Sequence, residues 1–211
     1  SQFNWDEKRK ELLWTKVVAR KIQNQIKVLQ NYNLVWDDVQ NELDQMELND
    51  STNRETAAAR KYFISMFGKD FIRRNSGVIN AALDYGYAIL LSAFNREIAV
   101  NGYLSYLGIH HHSQENQFNL GSDLMEPFRP FVDYWVKAHE NIDEFTPDIK
   151  FGLVELLSLE IKFNGRKTLL SNAITVYVRD CLRFLSGEID KIKIEMELTD
   201  EVPNDAINDN V

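Results

Sequence analysis

At 211 residues with only four prolines and nine glycines, the chain is long enough for one sizeable core and reads as all-α, not as a many-stranded β fold. Its single cysteine, Cys181, excludes an intramolecular disulfide and any multi-cysteine metal site, which suits a reducing cytoplasm. The formal charge of -8 argues against phosphate binding until its placement is considered: residues 195–211 hold six acids and no base, so the remainder carries only -2.

No run approaches the roughly 18 apolar residues that cross a bilayer, and the opening SQFNWDEKRK lacks a signal peptide's apolar core. Residues 1–30 contain seven bases against three acids. Leu13, Val17, Val18, Ile22, Ile26 and Leu29 recur every three to four positions, so a long, basic, amphipathic helix is expected from Trp5 to about Gln30. A second helix is expected over 34–46. A third should start at Thr52 or Asn53 and stop near Gly68. A fourth is expected with Ser76 as N-cap and Asn101-Gly102 as its stop, with Ala81, Ala82, Gly86 and Ala88 allowing close helix approach.

The segment LGIHHHSQENQFNLGSD is weakly periodic and polar, and reads as a loop. Pro127 and Pro130 then mark the first turns of a helix with an apolar stripe of Leu124, Phe128, Phe131, Val132 and Trp135. Further helices are expected over about 148–159 and 169–196. The domain is placed at 1–198, with 199–211 as an acidic, disordered tail.

Three features can carry chemistry. Glu55 shares a helix face with Ala58, Ala59, Tyr62 and Phe63, where a carboxylate needs a cation, a hydrogen-bond network or a metal. Thr52 through Glu55 also fits a T-x-x-E capping box, in which the glutamate only closes the helix start. His110, His111 and His112 offer one or two imidazole ligands for a first-row divalent metal, or are merely surface residues. Glu126 lies with Asp123, Arg129 and Asp133 on the face opposite the apolar stripe, where Asp123 and Glu126 also resemble a capping arrangement.

As an ordered set, NRETAAARKYF, INAALDYGYAIL, GIHHHSQENQFNL and SDLMEPFRPFVDYW resemble the motifs of the CRISPR adaptation integrase, the family of CRISPR-associated protein one, particularly its type II-A branch. The likeness runs from about Trp5 to Met196. It implies an all-α, multi-helix catalytic domain whose Mn2+ or Mg2+ is held by Glu55, His111 and Glu126, with His110 as the neighbouring alternative to His111. It implies supporting or DNA-contacting roles for Asn80, Tyr87, Asp123, Arg129, Arg73 and Arg74. It further implies insertion of foreign DNA into the CRISPR leader-repeat by 3′-hydroxyl transesterification, in a prokaryotic cytoplasm. CRISPR-associated protein two is the implied partner, the full-length protein a homodimer, and no membrane is involved.

The family begins with a small β-rich domain that nothing before Trp5 can form, so the chain resembles the family's C-terminal domain alone. Two other readings stay open at this point. One is a catalytically silent helical fragment that docks DNA or a partner. The other is a purely structural domain whose two glutamates are caps.

Overall fold

The computed structural model describes residues 2–198. Eight α-helices occupy most of them: α1 (Glu7–Asn31), α2 (Asp37–Asp44), α3 (Arg54–Phe67), α4 (Val78–Val100), α5 (Asn119–Leu124), α6 (Arg129–Ala138), α7 (Pro147–Glu155) and α8 (Leu170–Leu185). Among the described residues, no helix is long and apolar enough to cross a membrane. The tail expected over 199–211 lies outside the described residues.

Two long helices organise the rest. Asp6 caps α1 by accepting from the amides of Lys8 at 2.7 Å and Arg9 at 3.3 Å, satisfying donors that a helix start otherwise leaves open. The expected stripe on α1 is buried, and the helix packs against α2, α3, α6 and α8. Five residues of α4 (Ala82, Leu83, Leu90, Phe94 and Ile98) are fully buried, and this second axis packs against α6, α7 and α8. Phe94, Phe128 and Tyr177 join these layers edge-on or tilted, with ring centroids 5.1–6.0 Å apart.

Several expectations need correction. Gly77, not Ser76, occupies the N-cap of α4. The loop after Leu107 ends sooner than its polarity suggested, because residues 119–124 form α5. That turn buries Leu120 and Leu124 at the cost of also burying Asn119 and Asp123. The final helix ends at Leu185, and Met196–Glu197 is a strand, β3. It pairs antiparallel with β1 (Glu160–Phe163), which also pairs with β2 (Arg166–Leu169) in the order β2-β1-β3. Asn164 and Gly165, at φ 48° and 84°, join β1 to β2 in the tight turn that an Asn-Gly pair favours.

The bases of α1 are also less available than their spacing implied. Arg9 donates to the carbonyls of Phe184 and Ile189, each at 2.9 Å, and Arg20 to that of Ile194 at 2.8 Å. They stitch α1 to the C-terminal segment, so they are not a free phosphate-binding row. Lys8, Lys16 and Lys27 remain exposed.

Gly86 marks a close helix approach, since a Cβ there would collide with Val132 and press on Leu153. Gly86→Ala is therefore expected to cost about 1–3 kcal/mol of unfolding free energy, read from urea denaturation. An unchanged midpoint would show that α4, α6 and α7 do not pack this tightly.

Candidate active site

The N-terminus of α3 is built differently from a capping box. Asn53 adopts the left-handed region at the N-cap and makes no side-chain cap. Asp50, presented by the short 3₁₀ turn Leu48–Asp50, instead accepts from the amides of Arg54 at 2.7 Å and Glu55 at 3.0 Å. The Glu55 side chain is thereby left free to reach inward. Its Oε1 accepts from Lys21 Nζ of α1 at 2.5 Å.

Glu126 arrives from the opposite side, on the 3₁₀ turn Glu126–Phe128 that introduces α6. Its Oε2 accepts from the same Lys21 ammonium, and its Oε1 from Arg129 Nε at 2.8 Å. Glu126 is 5% exposed, and burial alone would raise its pKa. Arg129 and Lys21 overcome that effect and hold it at about 2. Lys21 behaves in the mirror sense: burial pulls its pKa down, but Glu126 and Glu55 carry it above the ordinary lysine value. The Glu126 carboxylate thus stays ionised, and one buried cation joins it to Glu55.

The histidine loop is fixed by Asp123, which caps nothing. This fully buried carboxylate accepts from the backbone amides of Ile109 at 2.8 Å and His110 at 2.9 Å, and of His111 at 3.2 Å. It also pairs with His111 Nδ1, and that contact raises the His111 pKa against the lowering effect of burial. An Nδ1–H donated to Asp123 leaves Nε2 of the neutral ring as a lone-pair donor. His110 is held otherwise, lying flat on Trp14 with ring centroids 4.2 Å apart and planes 6° from parallel. Desolvation and the neighbouring His111 lower its pKa. Gly108 allows this loop to close, since a Cβ there would strike the His111 carbonyl.

His111 senses both glutamates electrostatically, so the three residues share one locality. Among the described residues, no three histidine, cysteine or acidic side chains stand close enough together to hold a metal ion as they are placed. Lys21 occupies the space between the two that converge. The donor chemistry nonetheless fits a hard or borderline divalent ion: two carboxylates already drawn to one positive charge, and an imidazole whose free nitrogen is set by a second-sphere carboxylate.

A cleft of about 520 Å³ opens beside this cluster, lined in part by Lys21, Arg73, Arg74, Tyr87, Glu126 and Arg129. The Arg73 and Arg129 guanidinium carbons lie 5.1 and 4.5 Å from the Tyr87 ring centroid. Asn80 is buried and pins the segment before α4, donating to the carbonyls of Ile72 at 2.9 Å and Asn75 at 2.8 Å and accepting from Arg73 at 3.1 Å. Tyr87, Arg129, Arg73 and Arg74 thus line the cleft and Asn80 holds Arg73, whereas Asp123 holds the histidine loop, which is not part of the cleft lining.

Sequence reasoning missed Lys21, Asp50 and the role of Asp133. Lys21 had a readable signal: it sits within the apolar stripe of α1, between Val17, Val18 and Ile22. Asp133 accepts from the hydroxyls of Tyr62 at 3.0 Å and of Tyr87. Burial raises its pKa to about 6, against the lowering effect of the two tyrosines and Arg129.

A helical domain that joins two glutamates through one buried lysine, with a basic cleft beside one of them and a separately anchored histidine loop, is thus in hand. The family model described as CRISPR associated protein Cas1 matches residues 1–173, and the chain belongs to that family. It is 33% identical over 215 residues to a CRISPR-associated endonuclease Cas1 from Neisseria meningitidis serogroup C (strain 8013), covering 96% of this chain and 67% of that one. The fold matches a solved casposase bound to integration product, with a TM-score of 0.73, 22% identity, and coverage of 90% and 65% of the two chains. It also matches a Cas6-RT-Cas1–Cas2 complex, at a TM-score of 0.66 and 18% identity over 89% of this chain and 25% of that one. The chain spans about two thirds of the Neisseria relative.

Because Asp133 has a folded value near 6 and an ordinary one of 3.8, the folded protein keeps a proton that the unfolded chain releases. Stability should therefore fall as pH rises from about 4 to about 6, by about 2–3 kcal/mol at about 1.4 kcal/mol per unit. Asp133→Asn should flatten that slope in denaturation measured across this range. An identical slope in the variant would remove Asp133 as its source.

Proposed function

We propose that this chain is the catalytic domain of a CRISPR adaptation integrase of the type II-A-like branch, joining foreign DNA to the CRISPR array in a prokaryotic cytoplasm. Membership of the Cas1 family supports the reading. The observation that carries it to particular residues is the convergence of Glu55 and Glu126 on one buried positive charge beside the Asp123-oriented His111.

The reaction is a transesterification. A 3′-hydroxyl of the incoming DNA attacks a phosphodiester at the leader-repeat boundary; its oxygen forms a bond to phosphorus as the bond to the array's 3′-oxygen breaks. The nucleophile gives up its proton and the departing oxygen gains one, so one phosphodiester replaces another and no outside energy source is required. Glu55, His111 and Glu126 would hold the Mn2+ or Mg2+ ion, which when bound acts as a Lewis acid on the scissile phosphate.

The chain's own residues supply the rest. Asp123 fixes the tautomer and orientation of His111. Arg129 and Arg73, backed by the face of Tyr87, and Arg74 beside them, present positive charge where phosphate oxygens would lie. Asn80 keeps the Arg73 segment against the cleft. CRISPR-associated protein two and a second copy of the full-length protein complete the proposed assembly. The match to a solved complex containing Cas1 and Cas2 supports the first of these.

A second reading, a domain that docks DNA or a partner without catalysis, is favoured by one observation: Lys21 lies between the carboxylates where a metal would compete with it. Strand transfer by the full-length protein in Mn2+ separates the two. Glu55→Ala, His111→Ala and Glu126→Ala should each reduce joining by more than about 100-fold, and Asp123→Asn by about 10- to 100-fold as an orienting partner. Full activity in the three alanine variants would end the catalytic assignment.

A further inference from the structure

Lys21 is 8% exposed, yet its ammonium borders the open cleft as well as the two carboxylates. Counted as ionised, Lys21, Arg129, Glu55 and Glu126 balance to neutrality. A divalent cation entering that set would leave it two charges in excess and would need the carboxylate oxygens that Lys21 now holds. The ammonium must then move, and a second observation shows where. Gln25, one turn further along α1 and only 2% exposed, lines the same cleft with its Oε1 buried and without a hydrogen-bond partner. Residues four apart on a helix share a face, so that carbonyl oxygen is within the compass of a relocated lysine side chain.

We propose that Lys21 is an internal counter-cation that couples metal binding to DNA binding. Without nucleic acid it occupies the carboxylate pair and disfavours the metal. When a phosphodiester enters the cleft, Lys21 turns to the phosphate with Gln25 as its second acceptor, and the vacated carboxylates take the divalent ion. The phosphate's negative charge also offsets part of the excess that metal entry creates. Metal and DNA therefore each strengthen the binding of the other, as linkage requires. Lys21 acts through Glu55 and Glu126, so it is a positioning residue and not a catalytic one. The inference rests on the assignment of those glutamates as metal ligands.

The test is calorimetric titration of Mn2+ into the chain, alone and with a short DNA duplex, for the wild type, Lys21→Met and Lys21→Gln. Two substitutions are used because an apolar one leaves both carboxylates unpaired; the glutamine keeps a hydrogen-bond donor. In the wild type, DNA should tighten Mn2+ binding within the usual 5- to 150-fold range of coupling. Both variants should bind Mn2+ more tightly than the wild type without DNA, and lose most of the enhancement. If Lys21→Met folds only when Mn2+ is present, a melting temperature that rises with Mn2+ in the variant and stays level in the wild type supports the same conclusion. Equal Mn2+ affinity and equal DNA enhancement in all three proteins would overturn the proposal. Failure of the underlying ligand assignment is separately visible, as Mn2+ binding that Glu126→Ala leaves unchanged.

Discussion

The arrangement depends on one constraint: two carboxylates brought together inside a protein must either share a proton or be joined by a positive charge, and here the charge is present. Glu55 enters from α3 and Glu126 from the turn before α6, and the packing of both elements against α1 drives them toward each other. Lys21 of α1 resolves the conflict. The low pKa of Glu126 and the raised pKa of Lys21 are two views of the same interaction. A site meant to receive a divalent cation faces this difficulty whenever the cation is absent.

Around that pair the fold supplies stiffness of two kinds. Asp123 gathers three consecutive amides and one imidazole, so a loop that would otherwise wander presents His111 in a set direction. Asp133 does the corresponding work on the other wall by taking the hydroxyls of Tyr62 and Tyr87. Tyr87 in turn offers its ring to Arg73 and Arg129. Buried polar groups of this kind hold one arrangement when every member is satisfied, which is what a site built from distant segments requires.

Much of the helical framework was legible from spacing alone. The stripe of α1, the stop of α3 at Gly68 and the stop of α4 at Asn101 follow from periodicity and capping chemistry. The β1-β2 hairpin carried an explicit Asn-Gly signal that the surrounding helical expectation overrode. Glu55 and Glu126 could be singled out, but two ordinary capping motifs competed for them, and only the placement of Asp50 and Asp123 removes those alternatives. The polar side of α6 was expected to be polar, yet periodicity could not say that it faces inward, with Asp133 and Glu126 buried. That inward turn depends on α1, α3 and α4 closing over it, which no local pattern encodes.

In the proposed site Glu55, His111 and Glu126 share one divalent ion. Anomalous diffraction at the manganese edge, from crystals of the chain grown with Mn2+ and a DNA duplex, tests it directly. The predicted result is one strong peak about 2.0–2.3 Å from an oxygen of each glutamate and from His111 Nε2, with Lys21 displaced from the carboxylates. A peak bound elsewhere, or Lys21 still bridging the two glutamates beside ordered DNA, would contradict it.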